Sequence, residues 1–306
     1  AGAATGAFLE PGDVFWVDEE IVGEGGVTFL RLSDGRGWAF DAKPGVGSMC
    51  SRHIGFRQLV NNALARVRAK VGHAAKYHRM PRRLEDDYCL VARVLGSGVA
   101  GDVVLGVRRG SGRRVAIKHL EFANARAIER ACLARELELV LSTEEHPHIV
   151  RFLDVYEGQE RVSLVMECLE GGELFDRLRE RGGQLSEAEA MAVVRQILLG
   201  VQHLHRHGVA HRDIKLENVM LEQEGGDQVK LIDFGFATRF SLGQKKSLTT
   251  MCGSPGFMAP EVIDGHAYSE SCDIFSCGVI VYNLLTDRMP FEGGNWQDVL
   301  HATTVQ

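Results

Sequence analysis

Asp213, Lys215, Glu217 and Asn218 crowd into the stretch AHRDIKLENVM, residues 210–220, and are of the types that hold metal ions, phosphates and protons. The stretch follows an apolar helical run and precedes the strand-like VML, so a loop there can aim one carboxylate and one carboxamide at the same small volume. Asp233 arrives after another apolar run, VKLI, in the tripeptide DFG. Two oxygen donors, Asn218 and Asp233, suit a hard ion such as Mg²⁺, which also binds phosphate oxygens. Asp213 is left to take a proton. Phosphoryl transfer requires mainly positioning and charge neutralisation, and this inventory supplies both.

The elements that must position these groups can be read upstream. In YCLVARVLGSGVAGDVVLGVRR, Gly96, Gly98 and Gly101 lie between two apolar β-type runs, and RRVAIKHL follows as a third. The dinucleotide fingerprint also carries GxGxxG, but there the glycines lead from a strand into a helix. Here they turn strand into strand, which suits a flap whose backbone amides lie over phosphates, the glycines permitting close approach and positive φ. Lys118 on the third run is placed to reach those phosphates. The run IERACLARELELVLS predicts a helix whose Glu136 pairs with Lys118, with Glu138 as the competing partner because the register is open by a turn. Ser186 and Glu189 form an S-x-x-E capping box for a helix ending near His205.

In combination these pieces resemble the eukaryotic protein kinases: GSGVAGDV (96–103), VAIK (115–118), HRDIKLEN (211–218), DFG (233–235), APE (259–261) and DIFSCG (273–278) stand in family order. The resemblance implies an α+β, bilobal fold over residues 87–306, with a β-rich amino-terminal lobe and a helical carboxy-terminal lobe, and implies use of ATP and Mg²⁺. By the same resemblance Lys118 contacts the α and β phosphates, Asp213 orients the acceptor hydroxyl, Lys215 neutralises the γ phosphate, and Asn218 and Asp233 bind Mg²⁺. Val103, Ala116 and Met220 would sandwich adenine, Glu167 and Cys168 would offer backbone groups beside the gatekeeper Met166, and Glu173 would meet the ribose. Lys215 within HRDxKxxN implies transfer to serine or threonine of a protein substrate, and Ser254 in TTMCGSPGFMAPE agrees. GGELFDRL and HPHIVRF resemble the calcium/calmodulin-dependent and calcium-dependent kinases, in which case Glu173 and Glu217 favour an arginine upstream of the phosphoacceptor. No EF-hand loop is found in the sequence.

Arg212 precedes the catalytic aspartate, and kinases with this arginine commonly wait for an anion on the activation segment. Thr250 holds the usual position, where a phosphate adds about −1.5 to −2 charge; Thr249 and Ser247 are the weaker candidates. Cys252 reads as a packed thiol, with oxidant sensing as the alternative. A nucleotide-binding scaffold derived from a kinase is the alternative function. Such scaffolds usually lack one of the lysine, the loop aspartate and the DFG aspartate, whereas Lys118, Asp213 and Asp233 are all present.

The chain of 306 residues is 45% hydrophobic and 25% charged, ordinary globular material with length for about two domains. A net charge of −6 gives no global reason to expect a nucleic acid or an anionic membrane as partner. Seven cysteines, without CxxC or His-Cys zinc spacing, argue against a disulfide framework and lead to the expectation of a reducing, cytoplasmic or nuclear setting. The apolar run IFSCGVIVYNLL at 274–285 falls short of the ~20 residues of a membrane span and is expected to be a buried core helix. HLHRHGVAH holds four histidines but no common zinc pattern. His211 is expected to pack on Phe234, and Asp273 to anchor the loop backbone.

Two regions come before the kinase-like part. Residues 1–50 alternate apolar runs with Gly and Asp-Gly turns, which predicts a small β-barrel-like module, only loosely similar to the small Src-homology-type barrels. Residues 51–86 form a basic linker or amphipathic helix: Ser51 to Leu84 carries Arg and Lys but no Asp or Glu, with Phe56, Leu59, Val60, Leu64, Val67 and Val71 at helical spacing and Met80-Pro81 as its end. Such a segment can bind calmodulin, an acidic surface or the kinase domain itself, and a solvated linker helix is the competing reading. The chain begins at Ala1 and ends at HATTVQ, so a fragment is expected, lacking the family's last helices and the arginine that pairs with Glu261, and poorly stable in isolation.

Overall fold

The computed structural model describes residues 76–98, 101–122, 127–243 and 247–305, and the backbone of five short strands between residues 17 and 48. Of these, β1 (Val17–Val22), β2 (Thr28–Leu32) and β3 (Trp38–Phe40) form an antiparallel meander, and β4 (Ala42–Lys43) pairs with β5 (Gly47–Ser48). They fall on or beside the apolar runs of the sequence. Closure into a barrel, and the helix expected in the first part of the basic segment, lie outside the described residues.

A six-stranded sheet builds the amino-terminal lobe, in the order β6-β10-β11-β9-β8-β7. Its strands are β6 (Lys76–Arg79), β7 (Tyr88–Gly98), β8 (Gly101–Arg108), β9 (Arg114–Glu121), β10 (Phe152–Glu157) and β11 (Arg161–Glu167). β7, β8 and β9 pair antiparallel as expected of a glycine flap followed by the lysine strand. Residues 76–79, assigned by sequence to the basic linker, are a strand of this sheet, parallel to β10. The helical periodicity of the segment does not extend to them, because pairing with a buried strand outweighs local propensity. A short turn of helix, α1 (Leu84–Asp87), leads from it into β7, and α2 (Ala127–Ser142) separates β9 from β10.

The second lobe is helical. Its elements are α3 (Leu174–Glu180), α4 (Glu187–Arg206), α5 (Pro260–Ile263), α6 (Ser271–Thr286) and α7 (Trp296–Val305). Two small strand pairs hold the loops between α4 and α5: β12 (Val209–Ala210) with β15 (Thr238–Arg239), and β13 (Val219–Leu221) with β14 (Val229–Leu231). Ser186 caps α4 as its sequence predicts, its hydroxyl accepting from the Glu189 amide while Glu189 accepts from the Ser186 amide. Gly208, at φ 68°, lets the chain leave α4 in the left-handed conformation and enter the β12 loop. One apolar cluster joins the lobes, running from Leu137 and Val140 of α2 through Phe152 and Leu164 to Val201, Leu231, Phe234 and Ile280. Burying this surface is the main force that closes the two lobes on each other. The run at 274–285 is helical but buried on one face only: Val279, Ile280 and Leu284 are covered, whereas Ile274, Tyr282 and Leu285 are exposed. Among the described residues no helix is long and apolar enough to cross a membrane.

Candidate active site

Lys118 faces inward from β9, and α2 brings Glu136 to it at 3.3 Å; both are buried, at 7% and 6% exposure. Glu138, the competing choice, is two residues on and so points to the other side of the helix, with its carboxylate 3.5 Å from Arg239 Nε. Lys118 Nζ also donates to Asp233 Oδ1 at 2.9 Å. Burial works against the lysine charge, yet the two carboxylates hold its pKa above the ordinary lysine range. Burial raises the Glu136 carboxyl, with Lys118 opposing it. Asp233 is held below the usual carboxylate range: burial opposes its charge, but Lys118 and the Gly235 amide win.

Asp213 ends the loop after β12. Its backbone neighbours are pinned by one buried carboxylate, since the His211 and Arg212 amides donate to Asp273 at 2.9 and 2.7 Å. His205 lies 2.7 Å from the same group, and the His211 ring rests against Phe234 at 5.3 Å, as the sequence suggests. Arg212 and Asp233 have φ of 66° and 57°, a conformation that side chains rarely adopt outside glycine and that concentrates at functional sites. The Asp213 carboxylate is then divided between partners. Oδ1 accepts from Ser254 at 2.8 Å; Oδ2 accepts from Asn218 at 2.9 Å and lies 3.2 Å from Lys215 Nζ. Lys215 in turn donates to Ser254 at 2.8 Å.

The donor set fits a hard divalent ion. Asn218 spends its Nδ2 on Asp213, and none of the described groups donates to its Oδ1 or to Asp233 Oδ2. The Asp233 carboxylate keeps 45% of its surface open. Among the described residues no group of three or more His, Cys, Asp or Glu is arranged to hold a metal ion, so such an ion would take two protein oxygens and complete its shell with phosphate and water.

The residues that the resemblance assigns to adenine stand on β8, β9, β11 and β13, and one backbone assignment changes. Val103 pairs across the sheet with Lys118, and Ala116 with Met166; Val103, Ala116, Met166 and Met220 are all half-buried. Gly101, at φ 110°, closes the hairpin opposite Gly98, and a Cβ there would meet the His119 carbonyl at 3.1 Å. Gly96 has open space around it, which leaves room for a ligand to approach the backbone. The Glu167 amide is already spent on the Arg151 carbonyl at 3.0 Å, so this residue can bring only its carbonyl. Its buried side chain binds Lys230 Nζ at 2.8 Å and the Arg151 amide at 2.7 Å. Cys168 follows it, half-buried, its thiol pushed up by burial. Glu173 bridges to Met220, and burial together with the Asp176 and Glu217 carboxylates raises its pKa.

On the activation segment Thr250 is exposed, and its carbonyl accepts from Tyr268 OH at 2.6 Å. Tyr268 accepts from Arg212 Nη1 at 3.0 Å, and Arg212 Nε donates to the Phe236 carbonyl at 2.8 Å. Burial raises the Cys252 thiol pKa, which argues against a reactive thiolate there. Three contributors went unread in the sequence: Lys230, Tyr268 and Phe152, the last lying edge-on to Phe234 at 5.8 Å. No motif signals them, since each acts through a contact between distant segments.

Comparison with known proteins agrees with this geometry. The family described as "Protein kinase domain" matches residues 90–306. A probable myosin light chain kinase of Dictyostelium discoideum is 41% identical over 202 residues, 66% of this chain and 63% of that protein. MAP kinase-activated protein kinase 2 of Homo sapiens is 40% identical over 212 residues, 67% of this chain and 51% of that protein. NUAK family SNF1-like kinase 1 of Homo sapiens is 34% identical over 246 residues, 80% of this chain and 36% of that protein. The chain thus spans between 36% and 63% of the length of these relatives. With the family match running from residue 90 to 306, the chain belongs to the protein kinase family.

Proposed function

We propose that this protein is a serine/threonine protein kinase that transfers the γ-phosphoryl group of ATP to a hydroxyl of a protein substrate. The observation that carries the reading is the convergence on one cleft of Lys118 with Asp233 at 2.9 Å and of Asp213 with Lys215 at 3.2 Å. Lys118 is placed to hold the phosphates near the flap. Asp213 is the group that receives or orients the hydroxyl proton, and Lys215 beside it offsets negative charge on the transferred group. Asn218 and Asp233 would hold Mg²⁺, which when bound neutralises phosphate charge. The name of a further relative, a probable serine/threonine-protein kinase of Dictyostelium discoideum 36% identical over 217 residues, 69% of this chain and 25% of that protein, supports serine or threonine as acceptor.

The acidic group formed by Glu173, Asp176 and Glu217 supports selection of a basic residue upstream of the acceptor. The route from Thr250 through Tyr268 to Arg212 supports activation by phosphorylation at Thr250. Phosphorylation of an oriented peptide library with Mg²⁺ and ATP tests the substrate class. Label on Ser and Thr peptides carrying an upstream arginine is expected. Label on tyrosine alone, or no preference for basic residues, would remove the corresponding part. A nucleotide-binding scaffold would label none.

A further inference from the structure

The family match begins at residue 90, yet the sheet that carries Lys118 begins at Lys76. In β6, Lys76, Tyr77, His78 and Arg79 stand opposite Asp154, Val155, Tyr156 and Glu157 of β10. Both carboxylates of β10 are buried, at 5% and 4% exposure, and β6 meets both. His78 Nε2 lies 2.7 Å from Asp154 Oδ1, and its ring stacks on Tyr156 at 4.5 Å. Arg79 Nε and Tyr77 OH donate to Glu157 Oε2 at 3.0 and 2.8 Å. Beyond the turn, Arg82 grips Asp87 through two bonds of 2.8 and 2.6 Å, and Asp87 also accepts from Tyr156 OH at 2.6 Å. A buried carboxylate that loses a donor is strongly disfavoured, so β10 and this segment hold each other in place.

β10 is also the strand that reaches the chemistry. Its first residue, Phe152, contacts Phe234 of DFG, and Phe234 contacts His211. Tyr77 packs against the same apolar cluster, which includes Phe152, Phe234 and, from the helix of Glu136, Leu137 and Val140. Among the described contacts the segment touches none of Lys118, Asp213, Lys215, Asn218 and Asp233, so it braces the lobe without blocking the cleft. As an edge strand with one neighbour it can also be released.

We propose that residues 76–82 are a docked arm that holds the amino-terminal lobe in its catalytic arrangement, so that the end of the basic segment binds the kinase domain itself and its release lowers phosphoryl transfer. The consequence for turnover rests on the kinase reading above. Tyr77, His78 and Arg79 are thus positioning residues acting through β10.

Arg79→Glu sets a carboxylate against Glu157 and should release the arm, Tyr77→Ala removes its apolar anchor, and Arg79→Lys keeps the charge. In the full-length protein, well below its melting temperature, the first two are expected to lower kcat/KM with Mg²⁺ and ATP about tenfold, a typical coupling between sites. They should also speed amide exchange at residues 136–140 as well as 154–157, while Arg79→Lys behaves as the unaltered protein. Should Tyr77→Ala fail to fold, Arg79→Glu, altered at a half-exposed side chain, decides. Faster exchange confined to 154–157 with unchanged kcat/KM would make β6 a structural edge only and overturn the proposal. If the unaltered protein transfers no phosphate, the kinase reading fails instead, and exchange at 136–140 still decides the arm.

Discussion

Ser254 and Asp213 share a hydrogen bond of 2.8 Å across 41 positions of sequence. Because Ser254 also accepts from Lys215, one neutral hydroxyl bonds to both charged groups of the proposed transfer, which also pair directly at 3.2 Å. A bond to a charged group contributes about 1.5–3 kcal/mol. Ser254→Ala is therefore expected to lower kcat roughly ten- to hundredfold, while Ser254→Thr retains most of it. Steady-state kinetics check this, and an unchanged kcat in the alanine variant contradicts it.

Lys118 and Glu136 separate stability from function. Lys118→Met leaves a carboxylate of 6% exposure without its cation, which should cost about 3–5 kcal/mol of stability. Adding Glu136→Leu is expected to recover most of the melting temperature but none of the ATP affinity. Thermal melts with and without ATP read both. A double variant that binds ATP normally would remove Lys118 from the phosphate site.

Thr250→Ala is expected to lower turnover of protein isolated in its phosphorylated form, and Arg212→Ala to abolish the difference between phosphorylated and unphosphorylated protein, since Arg212 reaches Thr250 through Tyr268. Mass spectrometry of the site beside kinetics measures this. Full turnover by a demonstrably unphosphorylated Thr250→Ala protein would contradict it.

Stability should fall on acidification through a histidine stack between the lobes. His146 lies 4.7 Å from His203 and 5.6 Å from His148, and His203 lies 4.3 Å from His207. Burial, then its histidine neighbours, lowers the His146 pKa to about 4, and burial and His207 lower His203. Both folded values lie below the unfolded one near 6.5, so the contribution is full above pH ~6.5 and is lost as the unfolded chain takes up protons on the way down to about 4. Urea melts from pH 7 to 4.5 should lose stability less steeply for His146→Gln than for the unaltered protein. Parallel slopes would contradict the assignment.

The legible part of the site is the part whose chemistry is written in short spacings. Gly96 to Lys118, HRDIKLEN and DFG each lie on one or two adjoining elements, so residue type and interval were enough to place them. The choice of Glu136 over Glu138 needed the helix rotation, which a Leu- and Glu-rich run does not fix to better than a turn. Tyr268 and Lys230 act over 56 and 63 positions, through loops whose paths depend on the packed core. β6 was hidden for a further reason. Its partner lies in β10, and the apolar spacing just upstream pointed to a helix, so local pattern and tertiary pairing disagreed and the pairing won.

The most direct measurement compares the full-length protein with Asp213→Asn in a single-turnover assay with Mg²⁺, labelled ATP and a serine peptide bearing an upstream arginine. The aspartate holds Asn218, Lys215 and Ser254 at 2.9, 3.2 and 2.8 Å, and the asparagine keeps its shape without its basicity. The prediction is transfer by the unaltered protein and a loss of ~10²- to 10⁴-fold in the variant, with ATP binding retained. Equal transfer by the two proteins, or none by either while ATP still binds, would contradict the account.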